Sequence, residues 1–334
     1  MFQIETVPVV RSFPSTQPEV RNPGRHGELA PAPAGAADLH AWAAAELEAF
    51  GPCLREIELA LEAQYRVLWS TMVPTGRPCF TMKLIEDYLA LYARMRRLFA
   101  EAPGGGAPVK YLVYRSGVPG VFSLGGDLAL FSALIRRGDR EGLRRYAHAC
   151  ARMTYENAMS AGLPVVTIAL IQGQALGGGL ESALSCNVLV AERSAQFGLP
   201  EILFNLFPGM GAYSYLARRI GAAATEKLIL DGGPWSAAEL HALGVVDVVA
   251  EDGQGEAAVR DYIARNARRH NAQCAIFRTR RRVSPLTFEE LRDVTDIWVD
   301  CAMGIDRLDL RKMEKLVSAQ DRLQARIQSP AIPQ

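Results

Sequence analysis

The run Pro164-Val-Val-Thr-Ile-Ala-Leu-Ile171 carries a single polar side chain, that of Thr167. A strand so apolar has no face to offer water. Strands buried on both sides belong to parallel sheets covered by helices. Asn187-Val-Leu-Val-Ala191 and Gly244-Val-Val-Asp-Val-Val249 share this character, and helical stretches lie between them. Strands alternating with helices give an α/β chain. The same pattern predicts a strand over 110–115 and helices over 127–136 and 141–161. Further upstream it predicts a helix over 37–61 with a break at Gly51-Pro52, a first strand over 65–72 and a helix over 81–99. In that last helix Leu84, Tyr88, Leu91 and Met95 form the apolar stripe.

Three regions follow. Residues 1–37 contain Pro14, Pro18, Pro23, Pro31 and Pro33 and offer little to bury, so they read as a flexible arm. Residues 38–254 form the α/β core, with the predicted N-terminal helix included. Residues 255–328 read as helix alone, a subdomain packed on the core or on a neighbouring subunit, and 329–334 as a frayed tail.

Of the 334 residues 49% are hydrophobic and 22% charged, enough for a sizeable core. The net charge of +1 gives no case for nucleic acid as a partner. No secretory signal or membrane-spanning run is evident. The six cysteines are scattered without a Cys-x-x-Cys pair, and the five histidines form no metal-binding pair on a helix. We therefore expect reduced cysteines, a cytoplasmic protein and no metal site.

Two glycine loops and two glutamates carry the chemistry. Phe122-Ser-Leu-Gly-Gly-Asp127 joins a strand to a helix, and Gln174-Ala-Leu-Gly-Gly-Gly-Leu-Glu181 does so again. Amides at a helix start have no intrahelical partner, and glycine lets a ligand approach them closely. A plain turn with Asp127 as N-cap explains the first loop taken alone. Glu181 on a first helical turn and Glu201 after Pro200 are each explained by the helix dipole. Taken together, the four features fit a bound carbonyl, with two carboxylates to move protons and glycine amides to hold an oxyanion. No Walker loop, dinucleotide fingerprint or Gly-x-Ser-x-Gly elbow is present. The basic run Arg278-Thr-Arg-Arg-Arg282 reads as a solvated face or as a surface for an acidic carrier or a nucleotide phosphate.

These motifs resemble the crotonase (enoyl-CoA hydratase/isomerase) superfamily over residues 64–327. Leu124-Gly-Gly-Asp-Leu-Ala-Leu-Phe131, Leu203-Phe-Asn-Leu-Phe-Pro-Gly-Met-Gly-Ala-Tyr-Ser214 and Ile297-Trp-Val-Asp300 further resemble bacterial diffusible signal factor synthases. The resemblance implies a spiral of β-β-α units with a helical C-terminal subdomain, assembled as a trimer or dimer of trimers. It implies oxyanion-hole amides at Gly126 and Gly178 and acid/base roles for Glu181 and Glu201. Glu201 would remove the C2 proton while Glu181 protonates the departing C3 hydroxyl. Substrate-binding positions would be Gly125, Leu176, Gly177, Met210, Trp298 and Leu316.

The implied activity is dehydration of a 3-hydroxyacyl thioester, carried on acyl carrier protein or CoA, with thioester hydrolysis releasing a cis-2-unsaturated signal. No other cofactor is implied, and a signalling sensor is a further partner. An enoyl-CoA hydratase that leaves the thioester intact is the alternative, and a non-catalytic acyl-binding protein is a third reading.

Overall fold

The computed structural model describes residues 34–328. The arm expected at 1–37 lies outside the described residues as far as residue 33, and so does the tail at 329–334. The strands are β1 Ile57–Glu62, β2 Val67–Met72, β3 Tyr111–Ser116, β4 Gly120–Ser123, β5 Val166–Ile171, β6 Gly173–Leu176, β7 Val188–Glu192, β8 Gln196–Gly198, β9 Trp235–Ser236 and β10 Val248–Ala250. The helices are α1 Ala34–Phe50, α2 Met82–Glu101, α3 Leu128–Arg136, α4 Arg140–Ala158, α5 Gly178–Leu184, α6 Ala212–Ile220, α7 Ala222–Asp231, α8 Ala237–Ala242, α9 Gly255–Asn266, α10 His270–Val283, α11 Phe288–Met303 and α12 Arg307–Gln328.

A six-stranded sheet runs β1-β2-β3-β5-β7-β10, and a four-stranded sheet runs β4-β6-β8-β9. All pairs are parallel except β1 with β2 and β8 with β9. After β3, β5 and β7 the chain crosses at once to the second sheet through β4, β6 and β8, and a helical segment follows each time. This is the expected β-β-α repeat. Every residue of β5 and β7 is buried, which accounts for their uninterrupted apolar sequence.

The structure corrects several expectations. The helix predicted over 37–61 starts at Ala34, stops at Phe50 and turns through Gly51–Cys53. Pro52 has no amide to continue the ladder. Beyond it Ile57, Leu59 and Leu61 alternate along the edge strand β1, whereas Leu54, Ile57 and Leu61 match a helical stripe. The strand predicted over 65–72 begins at Val67, because Arg66 turns the hairpin at a φ of 56°.

The strand predicted over 244–249 is reduced to 248–250, and Val245 and Val246 are buried in the turn before it. The second sheet escaped sequence reading altogether, since strands of two to four residues are too short for a periodic signal. The region beyond 255 is helical as expected, and its last part divides into two helices, parted at Gly304.

Those last two helices fold back on the core. Arg144 and His148 of α4 both meet Asp296 of α11, at 2.8 and 2.7 Å. On α12, Asp321 pairs with Arg77 at 2.5 Å, and Glu314 pairs with Arg136 of α3. Because of this return, α11 and α12 roof the cavity that the glycine loops floor.

Candidate active site

Both glycine loops end strands of the small sheet. β4 and β6 are parallel neighbours, so the turns that leave them lie side by side. A methyl group built on Gly178 would come within 3.2 Å of the Gly126 amide nitrogen and would strike the sulfur of Met210. Only glycine fits there. The Gly126 and Gly178 amides donate to no acceptor among the described residues. They are two spare donors at the floor of one cavity.

The first loop is clamped from behind. The Tyr146 hydroxyl donates to the Phe80 carbonyl and accepts from the Asp127 amide at 3.1 Å, while Phe80 N donates to Gly125 O at 2.8 Å. Asp127 also caps α3 by accepting from Leu130 N. The sequence reading of Asp127 as N-cap is therefore met.

Glu181 sits on the first turn of α5 with 1% of its surface exposed. Its Oε1 accepts the amides of Met210 at 2.7 Å and Ala212 at 2.9 Å. That segment is itself held, because Thr154 donates to Met210 O and Thr295 to Gly209 O. Burial raises the Glu181 pKa to about 7, and the amides of Ala212, Met210 and Gly211 hold it below what burial alone would give.

Glu201 lies in the short 3₁₀ turn Pro200–Phe204. Its Oε2 is buried with no partner among the described residues. Burial first, then the charge of Glu181, raise its pKa to about 8. The two acids thus stand in unequal environments. The inequality comes from the main-chain amides of Met210, Gly211 and Ala212 on Glu181.

A cavity of about 220 Å³ joins these groups. All ten positions singled out in the sequence line it: Gly125, Gly126, Leu176, Gly177, Gly178, Glu181, Glu201, Met210, Trp298 and Leu316. Sequence missed Phe131 and Tyr146, whose rings stack edge to face at 5.1 Å, and the α12 residues Ala319, Gln320 and Leu323. Phe131 also meets Trp298 at 5.1 Å. Helical periodicity marks all of these as core-facing but cannot say which core they face.

Two unspent amides beside two carboxylates in unequal environments, under an apolar roof, are suited to moving a proton next to a carbonyl. The family model described as Enoyl-CoA hydratase/isomerase matches residues 108–285, more than half of the chain. The chain belongs to the enoyl-CoA hydratase/isomerase family.

Members of that family similar to it include human enoyl-CoA hydratase domain-containing protein 2, mitochondrial, 39% identical over 188 residues. That match covers 55% of this chain and 59% of the human protein. Rat methylglutaconyl-CoA hydratase, mitochondrial, is 38% identical over 153 residues, 46% of each chain. The chain thus spans less than two thirds of the length of these curated relatives. In fold it resembles the enoyl-CoA hydratase from Bacillus halodurans, with a TM-score of 0.63 at 21% identity over 78% of this chain and 100% of that one. Human mitochondrial delta3-delta2-enoyl-CoA isomerase also gives 0.63, at 20% identity over 81% and 99%. Among the described residues no helix is long and apolar enough to cross a membrane.

Proposed function

We propose that this protein adds water across the C2–C3 double bond of a 2-enoyl-CoA and catalyses the reverse dehydration. The observation that carries the proposal is the pair of unequal acids facing one cavity beside two unspent glycine amides. Amides at Gly126 and Gly178 donate to the thioester oxygen as it gains negative charge, a contribution of roughly 3–4 kcal/mol per donor in other enzymes. Near neutral pH the pair shares one proton, which rests on Glu201. The Glu181 carboxylate then takes a proton from the water that attacks C3, and Glu201 delivers its proton to C2. Dehydration is the same path reversed, with Glu201 taking the C2 proton and Glu181 protonating the leaving hydroxyl.

The names of the relatives support the hydratase reading over formation of a free cis-2-enoic acid on acyl carrier protein. None of the proteins named above carries the latter activity in its name, and that reading rests on the motif resemblance alone. Purified protein should convert 2-enoyl-CoA substrates into thioesters heavier by one water, seen by mass spectrometry. Free fatty acid as the main product would sink the hydratase reading in favour of hydrolysis. Unchanged turnover by Glu181→Gln or Glu201→Gln would remove the acid/base assignment.

A further inference from the structure

A second cavity, of about 310 Å³, lies between the C-terminal ends of α4, α5, α6 and α10, and none of the ten active-site positions lines it. Four guanidinium groups line it: Arg218, Arg219, Arg280 and Arg281. Two carboxylates meet them. Arg218 pairs with Glu290 at 2.6 Å, and Arg219 lies 3.6 Å from Asp247. Four positive charges against two leave an excess of two. The Arg280 guanidinium makes no hydrogen bond or ion pair among the described residues and lies over the ring of Phe277 at 5.0 Å.

The other three groups are anchored by main-chain oxygens. Arg218 donates to Ser214 O at 2.9 Å, Arg219 to Cys186 O at 2.9 Å and Arg281 to Ala158 O at 2.8 Å. Arg218 and Arg219 are held through both terminal nitrogens, Arg219 also reaching Val245 O at 3.3 Å, and Arg281 through one alone, so with five N–H donors each some remain unspent. Fixed, planar, permanently charged forks suit phosphate oxygens, which they bind in pairs. The remaining wall is partly apolar, with Met159, Leu184 and Leu286. The volume lies near the lower end of small-molecule sites, about 300–1,000 Å³.

We propose that this cavity binds a small organic phosphate, its dianionic group held by Arg280 and Arg281 with Arg219, and its organic part against Leu184 and Leu286. A phosphate ester carries about −1.5 to −2 charges at pH 7, which matches the local excess. The basic run at 278–282, read from sequence as a solvated face or a phosphate surface, thereby divides. Arg280, itself exposed, and the half-buried Arg281 line the cavity, and Arg278 and Arg282 do not.

Isothermal titration of the full chain with phenyl phosphate tests this, with inorganic phosphate and phenol as comparisons. One phenyl phosphate should bind per chain, more tightly than inorganic phosphate, while phenol gives no heat. Arg280→Gln should weaken binding at least about tenfold, the loss of roughly one charge-assisted contact. Since the Arg280 guanidinium holds no structural hydrogen bond, its variant should melt like the parent. Arg292→Gln, at an exposed pair with the adjacent Asp293, should bind like the parent. Absence of binding, equal binding of phenol, or affinity unchanged in a folded Arg280→Gln protein would overturn the proposal.

Discussion

Glu181 and Glu201 face one cavity, yet only Glu181 has an oxygen capped by amides; the Oε2 of Glu201 is buried without a partner. Two acids of the same chemical type therefore titrate in a set order. Glu181 gives up its proton first, and Glu201 keeps the one that remains.

This order fixes the pH dependence of turnover. The productive pair carries a single proton, so kcat/KM for hydration should trace a narrow bell. It should rise as the pair loses its first proton near pH 7 and fall as it loses its second near pH 8. The reverse reaction should follow the same bell, because both directions use singly protonated forms of one pair. Initial rates in both directions from pH 5.5 to 9.5 check this, and a flat profile across that range contradicts it.

The same shifts bear on stability, with a definite sign. A carboxyl whose folded pKa is raised binds more protons folded than unfolded between the two values. Its stabilisation is whole below the unfolded pKa and is lost as pH climbs through the folded one. Glu201→Gln should accordingly raise Tm at pH 9 by at least about 2–4 °C, the shift that about 1 kcal/mol gives in a domain of this size. The gain should vanish at pH 4. Calorimetric melts of parent and variant at both pH values decide it.

Gly177 supports Glu201 from below. It has a φ of 50°, and a methyl group on it would collide with the Glu201 carboxylate oxygen Oε1. Gly177→Ala should cost kcat about 10²–10³-fold, close to the loss in Glu201→Gln and with a modest change in KM. Gly178→Ala should lose a similar factor by a different route, closing the approach to the Gly126 amide. Steady-state kinetics separates the two, since Gly178→Ala should also weaken binding of an enolate analogue while Glu201→Gln should not.

Leu316 of α12 lines the cavity, as does Trp298 of α11. Leu316→Trp should fill the far space and shift preference toward short acyl chains, with kcat/KM falling about tenfold or more for long substrates. One or two methylenes in such a pocket are worth about 1–3 kcal/mol each. A chain-length series measured on both proteins gives the answer, and parallel loss at every length would place Leu316 away from the acyl chain.

The buried strands, the glycine loops and the two glutamates were all legible in the sequence, because each leaves a compositional mark. Val166–Ile171 has no polar face, Gly177-Gly178-Gly179 is costly at a helix start, and Glu201 follows Pro200. What held Glu181 was not legible. Its partners are amides of Met210 and Ala212, and every residue but proline has one. Tyr146 left no mark either, since its hydroxyl reaches Phe80 and Asp127 only once distant segments meet. The misread stretch at 57–62 shows a local ambiguity. Ile57, Leu59 and Leu61 satisfy a spacing of two, and Leu54, Ile57 and Leu61 satisfy a helical one. Only pairing with β2 settled the choice.

The grip on Glu181 is made by the main chain, so side-chain identity along 209–212 has little hold over acid strength. Met210 presents its thioether to the cavity while its nitrogen serves the carboxylate. Descendants of this sequence can rewrite that wall for fatter, thinner or branched cargo and keep the proton machinery untouched, provided proline never lands at 210 or 212.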